Sequence, residues 1–339
     1  MKFKFSYSIL LLLLFSGEVL SQKKDKKLPV PFKVVGYYHL NSAIKDTVHA
    51  DSTYLFLNKI THLNIAFLNP DLTGVFNQDL AIDTLVKKAH NKNVKVLASI
   101  AGGGSHPYYA ILLQDANRNI LVTNLVSLVR RYDLDGIDVD LEGSDIDKNY
   151  EIFVIELAAA LKPLHKLITA AISTAYKDQL SDKALEQFDF LNIMSYDRTG
   201  PWRPNNPGNH SPYTMAVEDL EYWHTIRLIP QEKLVLGLPF YGYGFGAIDS
   251  PVISMDYKSI VSFNSNAESL DTLKLPGNVI LYYNSMYTIK KKTELAINKA
   301  SGVMIWQLQG DSAGDNSLLN TIQLTIRKNL NATTHKQLK

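Results

Sequence analysis

The chain contains no cysteine. That absence excludes a disulfide framework, thiolate metal ligands and a lipid-attachment cysteine, so stability in an exported compartment has to come from the apolar core alone. Charge of either sign is also scarce. Thirty-five Lys and Arg against 33 Asp and Glu leave +2 on 339 residues, and no basic run interleaved with base-stacking aromatics occurs beyond the N-terminal lysines. A nucleic-acid partner is therefore not expected, and a neutral polymer suits the surface better. The nine histidines are scattered, with no His-Glu-x-x-His spacing, so no metal and no cofactor are expected. There is no Gly-x-Ser-x-Gly elbow for a serine hydrolase. The glycines of residues 237–246 do not make a phosphate loop, because neither a helix pattern nor Gly-Lys-Ser/Thr follows them.

Long apolar runs are missing as well. The one from Ile9 to Phe15 is too short to span a bilayer comfortably. With Lys2 and Lys4 before it and Val19-Leu20-Ser21 after it, residues 1–21 read as a secretory signal peptide, with an uncleaved anchor as the competing reading. The mature chain is then exported: periplasmic, surface-held or released. Residues 22–31, rich in lysine and proline, read as a flexible lead-in.

What is present is a globular composition, 46% hydrophobic and 20% charged, long enough for one α/β barrel. Short β-branched runs alternate with helical patterns, the signature of βα units. Eight strands are expected, at Lys33 to Tyr38, His62 to Leu68, Val94 to Ile100, Leu134 to Glu142, Leu167 to Ser173, Phe190 to Ser195, Lys233 to Pro239 and Gly302 to Leu308. Amphipathic stretches such as Leu80 to His90, Asn117 to Tyr132, Asn149 to Leu161 and Met215 to Arg227 lie between them. Eight strands in this order argue for a single-domain (β/α)8 TIM barrel over residues 32–329. Its last helix is expected over Ser317 to Arg327, followed by a disordered tail at 330–339.

The fourth expected strand carries the chemistry. Leu134 to Glu142 reads Leu-Asp-Gly-Ile-Asp-Val-Asp-Leu-Glu, and period two puts Asp138, Asp140 and Glu142 on one face and Ile137, Val139 and Leu141 on the other. Successive carboxyls stand about 6.6 to 7 Å apart, so three ionised together would repel strongly and a proton must be retained. Glu142, last on the strand, is the candidate general acid: like-charge neighbours and desolvation both raise a carboxyl pKa. A solvated acidic edge or a calcium site is the competing reading of such a pattern. In a (β/α)8 barrel, catalytic groups gather at the C-terminal ends of strands, which is where Glu142 falls.

Asp135-Gly136-Ile137-Asp138-Val139-Asp140-Leu141-Glu142 resembles the DGxDxDxE signature of glycoside hydrolase family 18, the chitinase family. Three further strands carry the resemblance. Ser99-Ile100-Ala101-Gly102-Gly103 is similar to the family's SxGG segment, with Ala101 where a glycine is usual and only a minor shift expected. Met194-Ser195-Tyr196-Asp197 is similar to its MxYD pattern, and Gly302 to Leu308 to its last strand, whose Trp306 would floor the site. The resemblance implies a substrate-assisted retaining mechanism, in which the 2-acetamido group of the sugar is the nucleophile. Glu142 would protonate the leaving oxygen, Asp140 would orient the acetamido N–H, Asp138 would set the charge of Asp140, and Tyr196 would hold the carbonyl with Asp197 beside it.

The partner so implied is chitin or another N-acetylglucosamine-containing glycan, bound by a monomer with no metal required. An endo-β-N-acetylglucosaminidase acting on N-glycan cores and a non-catalytic chitin-binding lectin are the family's other activities. Candidate sugar contacts are Tyr37, Phe67, Met194, Tyr108, Trp202, Tyr241 and Trp306, with Ser99 reaching Asp138 at the bottom of the ladder. Taken singly, Tyr37 and Phe67 also suit the core, and Trp202 suits a sugar platform or a packing role equally. Phe240 to Gly246 reads as an aromatic loop at the pocket rim. The roughly sixty residues between the seventh and eighth strands exceed a simple loop. They are too few for the full insertion that walls some chitinase clefts, so a shallow, open groove is expected, with no separate carbohydrate-binding module.

Overall fold

Eight parallel strands close into a barrel in the computed structural model, which describes residues 32–337 except 41–50, 105, 249 and 265. The expectations for residues 1–31 lie outside the described residues. The barrel strands are β1 (Lys33–His39), β2 (His62–Ala66), β3 (Lys95–Ala101), β4 (Gly136–Asp140), β5 (Leu167–Ile172), β6 (Phe190–Ile193) and β7 (Leu234–Pro239). After a four-strand insertion, β12 (Gly302–Trp306) pairs with both β1 and β7 and closes the ring. The fold is the (β/α)8 barrel expected from sequence.

Alternation in β4 decides what each face buries. Ile137 and Val139 point outward into the helix layer and are fully buried there, under α1 (Asp115–Arg131) and α2 (Tyr150–Leu161). Asp138 and Asp140 point into the barrel. Strand register then sets Ser99 of β3, Asp138 of β4 and Thr169 of β5 side by side, a polar layer inside an otherwise apolar interior of Val35, Phe190, Val235 and Met304.

Five strands end earlier than the sequence suggests, β2 at Ala66 instead of Leu68 and β5 at Ile172 instead of Ser173 among them. Pairing of β4 stops at Asp140 because its partner β3 ends opposite it, at Ala101, where the backbone turns to φ 67°. Glu142 lies beyond the ladder but is still extended, at φ −126° and ψ 150°, so it stays in phase with the two aspartates. β6 ends at Ile193 instead of Ser195, and β12 at Trp306 instead of Leu308.

Between β7 and β12 the chain builds a compact sheet of order β10-β11-β8-β9, from β8 (Tyr241–Phe245), β9 (Ile253–Asp256), β10 (Thr272–Leu275) and β11 (Val279–Tyr282), with one helix over Tyr257–Phe263. Phe240 to Gly246 is therefore not a loop. Its glycines alternate with Tyr241, Tyr243 and Phe245 in strand period; a Cβ on Gly242 would collide with the Tyr282 carbonyl, so the glycines serve close packing against β11. The final helix extends over Leu318–Gln337, through the stretch read from sequence as a disordered tail. Neither proline nor glycine follows Arg327 to stop it.

Candidate active site

The polar layer is built to hold one carboxylate. Asp138 is fully buried and takes hydrogen bonds from Tyr37 Oη at 2.7 Å, Ser99 Oγ at 2.8 Å, Thr169 Oγ1 at 2.5 Å and Asn192 Nδ2 at 3.2 Å. Burial pushes its carboxyl above the ordinary range, and the four donors pull the other way. Ser99 thus reaches Asp138 as expected, beneath the site, and Tyr37, expected as a sugar contact, is corrected to a buried support of Asp138. Inward residues of a barrel strand fill its layers, and Tyr37 belongs to the layer of Asp138.

Asp140 is the next rung. It is 3% exposed, and its Oδ1 has no hydrogen-bond partner among the described residues. Burial, then the charges of Glu142 and Asp138, and a hydrogen bond with Glu142 push its carboxyl well above the ordinary range. Glu142 is raised too, by burial first, while Tyr176 Oη, donating to Glu142 Oε2 at 2.9 Å, opposes the shift. From sequence, the retained proton belongs on Glu142. In the structure burial and the neighbouring carboxyls raise both groups as one tightly interacting pair, so the retained proton belongs to Asp140 and Glu142 together.

These groups open onto a cleft of about 1020 Å³. Glu142, Asp140, Tyr196, Asp197, Met194, Phe67, Trp202 and Trp306 all line it. Trp306 and Phe67 stack at 5.6 Å and 24°, an aromatic floor formed by the ends of β12 and β2. Tyr196 is nearly buried, and among the described residues its hydroxyl donates only to Met304 Sδ, at 3.7 Å, a weak acceptor that leaves the group available to a ligand carbonyl. Asp197 sits at φ 63°, with Oδ1 facing Tyr241 Oη and His210 Nδ1.

Trp202 is 54% exposed and meets Tyr243 edge-on. Two further expectations are corrected. Tyr241 gives its hydroxyl to Asp197 and acts through it, outside the cleft lining. Tyr108 packs on Tyr109 at 5.0 Å, away from the cleft. Its helical turn folds back on the buried Tyr109.

Four residues that sequence reasoning passed over belong here: Thr169, Asn192, Tyr176 and His210. A polar residue in the inward phase of an apolar strand was a usable signal for Thr169 and Asn192. Tyr176 and His210 lie in irregular segments, where no period assigns a face.

The glycine-rich end of β3 shows how Ala101 is accommodated. Ala101 holds φ 67°, a region that costs a non-glycine residue roughly 1–2 kcal/mol. Asn69 grips both of its backbone groups, through Ala101 N to Oδ1 at 2.6 Å and Nδ2 to Ala101 O at 2.9 Å, and Tyr109 Oη joins Asn69 Oδ1. Next to it Gly102, at φ 96°, leaves the room that the Phe67 ring occupies. Asn69→Ala is expected to cost about 1–3 kcal/mol, read as a lower urea midpoint. A midpoint equal to the parent's would mean that this clamp contributes nothing.

Comparison with known proteins gives one consistent result. Residues 33–311 match the family model described as Glycosyl hydrolases family 18. Among solved structures, the GH18 chitinase ChiB from the chitin utilization locus of Flavobacterium johnsoniae is similar at TM-score 0.78 and 36% identity, covering 87% of this chain and 94% of that one. A chitinase from Bacteroides thetaiotaomicron is similar at TM-score 0.73 and 28% identity, covering 87% and 96%. Among curated proteins, the oviduct-specific glycoprotein of Papio anubis is 29% identical over 222 residues, 55% of this chain and 35% of that protein. This chain thus spans about a third of the length of that relative.

Proposed function

The chain belongs to glycosyl hydrolases family 18, and from that premise we propose that it hydrolyses β-1,4 linkages between N-acetylglucosamine units of chitin or chitooligosaccharides. The observation that carries this reading is the pair of unsatisfied groups at the cleft: Asp140 Oδ1, buried without a partner, and the Tyr196 hydroxyl, bonded only to a thioether. An acetamido group offers what each lacks, an N–H for the carboxylate and a carbonyl for the hydroxyl.

The proton balance follows. An amide N–H donating to Asp140 favours its ionised form, so the proton passes to Glu142, where the acid is needed. Glu142 then protonates the glycosidic oxygen as the C1–O bond breaks, and the acetamido oxygen, held by Tyr196, bonds to C1 to give an oxazolinium ion. Glu142, now a carboxylate, takes a proton from water. That water attacks C1 and expels the acetamido oxygen, with net retention. Asp197 is a poor rival nucleophile, because its Oδ1 is already engaged by Tyr241 and His210. Export of the mature chain is part of the same proposal, supported by the signal-peptide pattern of residues 1–21.

The test compares chitooligosaccharides with their fully N-deacetylated counterparts. Only the acetylated chains should be cleaved; equal cleavage of both would require a nucleophile other than the acetamido group, a protein carboxylate or water, and end this reading.

The pH dependence has a definite sign. Glu142 acts as an acid while protonated, and its raised pKa carries activity above the ordinary glutamate range before it falls with rising pH. Tyr176→Phe removes a donor that favours the carboxylate, so the alkaline limb of kcat/KM should move to higher pH. A limb that moved lower would show that Tyr176 does not act on Glu142 in this way.

A further inference from the structure

Tyr196 and Asp197 present their side chains from a segment the barrel does not hold. The ladder of β6 ends at Ile193; Met194 N still donates to Ile172 O at 2.8 Å, and Ser195 N turns back to Ile193 O. Beyond that point, the backbone is restrained by residues 210 and 211. Arg198 N donates to His210 O at 2.9 Å, and Ser211 Oγ donates to the Ser195 carbonyl at 2.6 Å.

Ser211 is itself gripped by a lysine inside the protein. Lys292 lies on the helix Met286–Lys299, at helical spacing from Ile289 and Ala296 on the buried face, and is 0% exposed. Its ammonium meets three acceptors: Ser211 O at 2.6 Å, Ser211 Oγ at 2.6 Å and Asn284 Oδ1 at 2.8 Å. Asn284 Nδ2 closes the ring by donating to Ser211 O at 2.9 Å. Three N–H groups and three acceptors match one for one.

A lone ammonium is costly where it sits. Burial lowers the lysine to about 7 against the opposing pull of Asp271 and Asp219, and a buried ionic group is often replaced by an apolar one of similar volume at little cost. What the ammonium adds is direction, tying a helix on the outside of the barrel and the exit of the insertion at Asn284 to the Ser195 carbonyl.

We propose that Lys292 is a positioning residue for Tyr196 and Asp197, fixing Ser211 and through it the backbone that aims both side chains into the cleft. This rests on the proposed function for the roles of those two residues, but the clamp itself can be read without turnover.

The experiment is fluorine NMR on the full chain carrying 3-fluorotyrosine, with the Tyr196 signal, one of 18, assigned by its loss in Tyr196→Phe. Lys292→Met and Ser211→Ala should each shift or broaden that signal, and the double variant should add nothing, because both act through one link. Lys291→Met, on the exposed side of the same helix, should leave it unchanged. On chitooligosaccharides, kcat should fall about ten- to a hundredfold in both single variants, the scale of a misplaced catalytic group. A Tyr196 signal unmoved in Ser211→Ala, which removes only the hydroxyl link, overturns the proposal even if Lys292→Met does not fold. A parent enzyme inert on chitooligosaccharides would sink the functional reading, and the fluorine shift would still decide the clamp.

Discussion

Glu142→Gln should fold as the parent does and lose about a thousandfold or more in kcat on chitooligosaccharides, since a positioned general acid contributes roughly 10²–10⁴-fold and the same group must later activate water. The substitution keeps the shape of the side chain and its hydrogen bond with Tyr176, so the floor of Phe67 and Trp306 is untouched and KM should change little. The loss should then lie in kcat and not in binding. Substrates with strongly acidic leaving groups, which need no protonation to depart, should recover much of the bond-breaking rate. A variant that retained a tenth of the parent's kcat would place the acid elsewhere.

Asp140→Asn should separate stability from activity. The carboxyl is pushed well above its ordinary range by burial and by its two acidic neighbours. A folded-state pKa above the unfolded one means that stability is fully present below the unfolded value and is lost as pH rises through the folded value. Asparagine never ionises, so the variant should melt at or above the parent's temperature near neutral pH, and the gap should widen as pH rises. Its kcat should nonetheless fall about 10²–10³-fold, the scale of losing one preorganised electrostatic partner of the transition state. An amide can neither accept the acetamido N–H as a carboxylate does nor pass a proton to Glu142. A melting temperature well below the parent's at high pH would contradict the pKa direction on which the proton balance rests.

How much was legible from sequence depends on whether a period ran through the residue. Asp138, Asp140 and Glu142 could be placed on one face because extended backbone alternates sides, and Glu142 keeps that phase even after pairing stops at Asp140. The barrel was legible for the same reason: eight β-branched runs separated by amphipathic stretches admit few topologies. Depth along a strand was not. Tyr37 and Trp306 are both aromatic residues on inward phases, yet one lies under Asp138 and the other reaches the cleft, and that difference is set by the stagger of neighbouring strands. The length of the insertion was legible, but its first strand was hidden because its glycines look like loop punctuation until Tyr241, Tyr243 and Phe245 are counted in twos. That the retained proton is held by the Asp140 and Glu142 pair was hidden too, since it depends on the burial of both carboxyls in three dimensions.

The most direct measurement is the anomeric form of the first product, followed by proton NMR during early hydrolysis of chitooligosaccharides. Attack by the substrate's own acetamido group followed by water predicts the β-anomer at first, drifting to the α/β equilibrium by mutarotation. An initial α-anomer would mean single displacement by water and would contradict the assignment of the nucleophile to the sugar.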